Sequence, residues 1–313
     1  MKPQDLNRKL KQFIKEPTRL RTSLQFHMGR TLYPRYKQPL ILLFRYTTAL
    51  GDALMLTTLA HEIRLRNPQA IIHVVTGLPQ IFTHNPDVNF VSPDPNQPMI
   101  GLGRHLIRYE HRFPWTRHLL YYCAECVDIH DKIALKTYIY PTTADYEWAQ
   151  NIVHQLGARP ILINRMAGPR TNKKNWPYPY WKTLIPCLLE LAPVIDIGTG
   201  EAIINEHQPS NWLNLLNKTT IHQLAALMSY SCLLIGPVSG PLHLASAVNL
   251  PTISLVGGSE PAIATQYPNC VSLANQPACH NCYEQGPCGF DFQCLWAIKP
   301  ESVLQAVTQQ LSK

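Results

Sequence analysis

The chain has 313 residues, enough for two domains, and 45% of them are hydrophobic, which supports sizeable cores. No apolar run approaches the roughly 18 residues of a membrane span, and the first residues lack the apolar core of a signal peptide, so a cytoplasmic protein is expected. The formal net charge of +8 equals the charge of residues 1–38, which hold ten Lys or Arg against Asp5 and Glu16. The remainder of the chain is formally neutral.

Residues 1–38 form a basic extension with a helical pattern. Leu6, Leu10, Phe13 and Ile14 recur at helical spacing with Lys and Arg between them. This pattern predicts an amphipathic helix on an anionic membrane surface, and the alternatives are a basic helix packed on the body or a disordered arm. A nucleic-acid partner is not expected, because aromatic residues are sparse in the extension and the body has no basic excess.

The next elements form a βαβ unit. A strand is predicted over 40–46, a helix from the turn at Gly51-Asp52 to about Arg66, and a second strand over 71–77. Residues 78–135 have no clear pattern, and a short strand is predicted near 134–140.

A second alternating series begins near Tyr146 and ends with the chain. Helices are predicted over 147–156, 181–191, 221–228 and 300–311, and strands over 160–164, 194–197, 232–236 and 251–258. Two blocks of alternating strands and helices indicate two doubly wound α/β domains facing a cleft. The predicted organisation is a basic extension (1–38), an N-terminal domain (39–145) and a C-terminal domain (146–313).

The turn between the strands over 232–236 and 251–258 has features of an anion site. Ser239 is a helix-capping residue, Gly240 allows close approach of the backbone to a ligand, and Pro241 suits a first helical turn. A helix that begins this way directs N–H groups and partial positive charge outward, which suits a phosphate. The alternative is an ordinary capped helix.

Three separated segments of the chain form motifs. They are Arg45-x-x-x-x-Leu50-Gly51-Asp52-x-x-x-x-Thr57-Thr58, then Lys174-Asn175-Trp176-Pro177 with Trp181, then Ser239-Gly240-Pro241-x-His243-Leu244-Ala245 with Gly257-x-x-x-Pro261. In order and spacing, from about residue 40 onward, these segments resemble glycosyltransferase family 9, the bacterial lipopolysaccharide heptosyltransferases. The resemblance implies the GT-B fold, with two Rossmann-like domains and neither a dinucleotide cofactor nor a catalytic metal. It also implies inverting transfer of a sugar, typically heptose from ADP-heptose, onto a lipopolysaccharide-core or related glycan acceptor.

Inverting transfer needs a base for the acceptor hydroxyl and positive potential on the departing diphosphate. Asp52 matches the family's Gly-Asp and is the candidate base, with Thr48 and Gly51 in the turn near the acceptor. The alternative for Asp52 is a first-turn carboxylate that complements the helix dipole. Lys174 is the candidate diphosphate clamp, and Lys173 is the alternative if the register differs by one residue.

The donor would contact the start of the helix after the 232–236 strand. Ser239, Gly240, Pro241 and Leu242 would surround the diphosphate, and His243 would bond phosphate or sugar, unless it is a buried structural histidine. The resemblance further implies an acidic residue on the nucleoside ribose, which is either Glu201 or Glu206.

One position departs from the family pattern. The residue before Ser239 is usually acidic in the family, and here it is Val238, which accepts no hydrogen bond from a sugar hydroxyl. An altered donor sugar or weak activity would follow. The alternative functions are therefore a relative that binds a nucleotide sugar or glycolipid without transferring it, and a sugar-nucleotide epimerase of GT-B fold.

Nine cysteines are distributed unevenly. Cys123 and Cys126 form a C-x-x-C pair, and four others lie within sixteen residues: Cys279, Cys282, Cys288 and Cys294. In a reducing compartment such a cluster suggests a structural metal site, and a disulfide or free thiols are the alternatives. None of these cysteines is expected to act in catalysis.

Overall fold

The computed structural model describes residues 40–44, 48–93, 103–106, 115–168, 173–201, 209–258, 260–275, 282 and 288–313. The basic extension with its predicted amphipathic helix lies outside these ranges, as do Arg45, Glu206 and Cys279. None of the helices found in these ranges is long and apolar enough to cross a membrane.

The N-terminal lobe contains a four-stranded parallel sheet. Its strands are β1 (Leu40–Phe44), β2 (Ile71–Val75), β3 (Phe90–Ser92) and β4 (Gly103–Leu106), in the spatial order β3-β2-β1-β4. Helix α1 (Leu50–Arg66) joins β1 to β2, so the predicted βαβ unit is confirmed. A second helix, α2 (Leu119–Glu125), begins after His118, whose Nδ1 accepts a hydrogen bond from the Leu120 amide.

The C-terminal lobe contains a six-stranded parallel sheet in the order β10-β9-β8-β5-β6-β7. The strands are β5 (Ile161–Asn164), β6 (Val194–Ile197), β7 (Trp212–Asn214), β8 (Leu233–Pro237), β9 (Thr252–Val256) and β10 (Cys270–Ala274). The helices are α3 (Thr143–Leu156), α4 (Tyr178–Leu191), α5 (Ile221–Ser229), α6 (Gly240–Ala247), α7 (Gln293–Trp296) and α8 (Pro300–Leu311). The predicted boundary at residue 146 falls inside α3 and stays a prediction.

The two faces of the larger sheet pack differently. On one face, α4 and α8 cover a core that includes the buried indoles of Trp176 and Trp181. On the other face, α5 and α6 join one continuous core with α1 and the N-terminal lobe. The lobes therefore share buried apolar surface, which fixes α1 against α6.

Residues 136–138 connect these two helices through side-chain hydroxyl groups. Thr58 Oγ1 donates to the Lys136 carbonyl (2.6 Å), the Tyr138 amide donates to Thr57 Oγ1 (2.8 Å), and Thr137 Oγ1 donates to the His243 carbonyl (2.6 Å). The prediction of a strand near 134–140 is therefore wrong, because the backbone amides of Tyr138 and Thr137 donate to side chains of α1 and α6, namely Thr57 and Ser246, and not to a neighbouring strand.

Candidate functional site

The starts of α1 and α6 lie at the carboxyl ends of β1 and β8 and pack against each other. A Cβ atom on Gly51 would lie 2.5 Å from Cδ2 of His243, and one on Gly240 would lie 2.6 Å from Cδ2 of Leu50. Each helix start therefore places a glycine against a side chain of the other. In each sheet the order of the strands reverses direction next to one of these two strands, β1 in the smaller sheet and β8 in the larger. Ligands of open α/β sheets usually bind at such a reversal.

Asp52 lies in the first turn of α1 and is half-buried. A carboxylate at this position interacts favourably with the positive end of the helix dipole. The packing of the two helix starts places this turn beside α6, as the predicted role requires. Thr48, two residues before α1, is exposed.

The start of α6 departs from the predicted cap. Ser239 occupies the N-cap position, yet its side chain makes no cap hydrogen bond. Its Oγ donates to the Pro237 carbonyl (3.2 Å) and accepts from Nδ2 of Asn164 (2.8 Å). The Ser239 side chain thus leaves the first amides of α6 to other partners, which is compatible with an anion at this helix start.

His243 is buried between the lobes. Its Nδ1 lies 2.7 Å from the hydroxyl of Tyr267, and its ring packs against Gly51. Burial, together with the nearby charges of His118 and Lys174, lowers the pKa of His243 to about 3. The imidazole is therefore neutral at physiological pH. Both predicted roles, ligand contact and structural histidine, stay open, and the packing observed supports the structural role.

His118 gives a testable pH dependence of stability. Burial lowers the pKa of His118 from 6.5 to about 4, so the folded state disfavours the charged form. Its contribution to the free energy of unfolding is complete above pH 6.5 and falls by about 3 kcal/mol as the pH drops toward 4. His118→Asn keeps an acceptor for the Leu120 amide without titrating. Denaturant melts from pH 7 to 4 should show less acid destabilisation in this variant by about that amount, and identical profiles would contradict the assignment.

Lys174 and its neighbours lie just before α4. The Lys174 ammonium forms an ion pair with Oε1 of Glu260 at 2.7 Å, and both side chains are about four-fifths buried. Trp176 is buried and donates from its indole to the Ile298 carbonyl (2.8 Å). Trp176 thus attaches the Lys-x-Trp-Pro segment to the face of the sheet that α8 covers, and this attachment fixes the position of Lys174.

Two residues at the carboxyl end of β5 were not predicted as part of the site. Asn164 and Arg165 are buried, and Nε of Arg165 donates to Oδ2 of Asp196 at 2.7 Å. Nη2 of Arg165 donates to the carbonyl of Glu201, one of the two predicted ribose carboxylates. Burial raises the pKa of Asp196 to about 6, although the Arg165 charge opposes that shift. No motif spacing marks these residues, and the only signal is a pair of polar residues where an apolar strand ends.

Val238 and the cysteines are the predicted positions that remain. Val238 is buried in the shared core, so its side chain faces neighbouring apolar groups. Within the described ranges, no disulfide joins the cysteines, and no three His, Cys, Asp or Glu side chains converge to hold a metal. Cys282 is exposed, Cys288 Sγ accepts from the Phe292 amide, and Cys294 is buried beside Gly257. The metal site stays a prediction.

Comparison with solved structures identifies the fold as GT-B. E. coli ADP-heptose lipopolysaccharide heptosyltransferase II superposes with a TM-score of 0.69 at 15% identity, covering 88% of this chain and 98% of that chain. A glycosyl transferase family 9 protein from Veillonella parvula DSM 2008 gives 0.69 at 16% identity, with the same coverage. E. coli heptosyltransferase WaaC with ADP-2-deoxy-2-fluoro heptose gives 0.57 at 14% identity, covering 86% and 99%.

Sequence comparison adds the family. Residues 142–286 match the model of glycosyltransferase family 9 (heptosyltransferase), which confirms the resemblance drawn from the motifs. No curated protein sequence matches the chain. Residues 142–286 thus resemble the family 9 glycosyltransferases, and most of the chain shares the fold of the solved heptosyltransferases.

Proposed function

We propose that the chain is an inverting glycosyltransferase that moves a sugar from a nucleoside-diphosphate donor, most directly heptose from ADP-heptose, onto a lipopolysaccharide-core or related glycan. The observation that carries this proposal is the packing of the α1 start against the α6 start. It brings a first-turn carboxylate, Asp52, beside a helix start suited to a diphosphate.

In the proposed reaction Asp52 removes the proton of the acceptor hydroxyl while its oxygen attacks the anomeric carbon. The bond from that carbon to the diphosphate breaks on the opposite face, and the configuration inverts. The negative charge that develops on the diphosphate is stabilised by the N-terminal end of α6 and by Lys174. The proposal needs no metal ion for this step.

The donor class is tested by thermal shift with ADP, UDP and GDP. We expect ADP to stabilise the chain more than the other two, because binding to the folded state raises the melting temperature. Hydrolysis or transfer of ADP-heptose then tests the activity itself. Absence of any response to nucleoside diphosphates would refute the proposed function.

Lys174 is distinguished from Lys173 by matched substitutions. Lys174→Met should weaken ADP binding about tenfold or more, since it removes a positive charge held at a fixed place beside Glu260. Lys173→Met removes the same charge one residue earlier and should weaken binding much less. Isothermal titration of both variants measures the difference, and a larger effect at Lys173 would move the clamp to that residue.

A second candidate function is supported by Val238. The buried valine offers no carboxylate to the donor sugar, which favours a relative that binds nucleotide sugars and transfers them poorly or not at all. Tight binding of ADP-heptose without transfer or hydrolysis, across several glycan acceptors, would select this candidate.

We further propose that residues 1–38 attach the chain to an anionic membrane surface, because their net charge of +8 and helical apolar spacing suit one. The full chain should float with vesicles containing anionic lipid and not with zwitterionic ones. Replacing three basic residues of the extension with Gln, namely Arg8, Lys9 and Lys11, should reduce flotation severalfold. The same change of charge on three exposed lysines of the body, Lys132, Lys218 and Lys313, should leave flotation unchanged. Equal effects of the two sets would contradict the proposal.

A further inference from the structure

Asn164 and Arg165 connect two loops at the carboxyl edge of the larger sheet. Asn164 bonds to Ser239 at the start of α6, on one side of β5. Arg165 bonds to Asp196 in β6 and to the carbonyl of Glu201, on the other side. One dipeptide therefore sets the distance between the helix start suited to a diphosphate and the loop after β6.

The loop after β6 is shaped around this dipeptide. Gly198 and Gly200 have φ of 95° and 131°, values that favour glycine. A Cβ on Gly198 would lie 2.5 Å from Oδ1 of Asn164, so the turn packs directly on that side chain. From the opposite side, the Asn217 amide donates to the Gly198 carbonyl (2.9 Å) and its Nδ2 to the Gly200 carbonyl (3.0 Å).

The buried ion pair between Arg165 and Asp196 is better explained by the position it gives to the loop than by a gain in stability. Arg165 is 7% exposed and Asp196 only 1%, and Oδ1 of Asp196 has no partner among the described residues. Burying both charges costs free energy that their attraction repays only in part. A second contact of Arg165, from Nη2 to the Glu201 carbonyl, holds the loop.

We propose that Arg165 is a positioning residue for the nucleoside end of the donor site. It holds the Gly198–Glu201 loop so that the exposed Glu201 carboxylate accepts hydrogen bonds from the ribose hydroxyls of a nucleoside diphosphate. The bond from Arg165 goes to the Glu201 main chain, so it fixes the backbone and leaves the carboxylate at the surface. This assignment rests on the proposed function, and it gives the ribose contact to Glu201.

The test compares a nucleotide with its diphosphate part. In Arg165→Gln/Asp196→Asn, a neutral hydrogen-bonded pair replaces the ionic one, and the shorter Gln no longer reaches the Glu201 carbonyl. Isothermal titration should show ADP binding weakened about tenfold and binding of inorganic pyrophosphate unchanged. Arg165→Lys should give the same pattern, since one ammonium cannot serve both acceptors in the guanidinium geometry. If the double variant is unfolded at the temperature of the titration, Arg165→Lys provides the test instead.

Combining Arg165 and Glu201 substitutions distinguishes a positioning role of Arg165 from a general loss of stability. If Arg165 acts through Glu201, then in a Glu201→Gln background the Arg165 changes should weaken ADP binding little further. Additive losses, or equal losses for ADP and pyrophosphate, would overturn the assignment. A wild-type chain that binds no nucleoside diphosphate would refute the proposed function, whereas wild-type binding with unaffected variants would refute only the role of Arg165.

Discussion

Asp52→Asn should lower the turnover number of sugar transfer by a factor of about 10² to 10⁴, the usual contribution of a general base. The amide has the shape of the carboxylate but cannot remove a proton from the acceptor hydroxyl. Because Asp52 is half-buried in the first turn of α1, the substitution should leave the fold intact. Single-turnover transfer assays measure the loss, with the melting temperature as a check on folding.

Two comparisons make the Asp52 result interpretable. Asp128→Asn changes an exposed carboxylate whose φ of 59° suits Asn as well as Asp, and it should leave turnover unchanged. ADP binding to Asp52→Asn should stay close to that of the wild type, since the proposed base faces the acceptor. Near-normal turnover would show that Asp52 only complements the helix dipole.

The central elements of the fold were predictable from the sequence, and the sheet edges were not. β6 (Val194–Ile197) and α8 (Pro300–Leu311) have the predicted bounds, because a buried strand and an amphipathic helix have strong patterns. The four strands that were missed, β3, β4, β7 and β10, are the four edge strands of the two sheets. A strand at the edge of a sheet is partly solvated, so it lacks the continuous apolar run of a central parallel strand.

The motifs predict a candidate site, and several of their residues have contacts that the sequence does not predict. Gly240 was expected to allow a ligand to approach the backbone. The side of Gly240 that would carry a Cβ atom faces Leu50. Thr57 and Thr58 of the first motif hold residues 136–138. Such roles depend on contacts between residues that are far apart in the sequence, which no local pattern contains. Arg165 and Asn164 were missed for the same reason, since their partners lie in other loops.

The contact between Gly51 and His243 predicts a large effect of one added methyl group on stability. In Gly51→Ala the new methyl group would lie within 2.5 Å of a buried ring held by Tyr267, so the ring cannot move aside easily. Overpacking of this kind costs about 1–3 kcal/mol. It would also displace the first turn of α1 relative to α6, and turnover should fall with stability. Gly289→Ala, at a glycine with open space around it, should change stability by less than about 0.5 kcal/mol.

A compensating substitution decides whether the contact itself causes this loss. His243→Ala removes the ring that the new methyl group at position 51 would meet, so Gly51→Ala should cost less in that background than in the wild type, by about 1 kcal/mol or more. Denaturant melts of the four chains measure the coupling, and ADP titration of His243→Ala alone reports any donor contact of the imidazole. Coupling together with unchanged ADP affinity would assign His243 to the joint between the lobes. An unchanged cost of Gly51→Ala in the His243→Ala background would contradict the packing of the two helix starts, on which the proposed site depends.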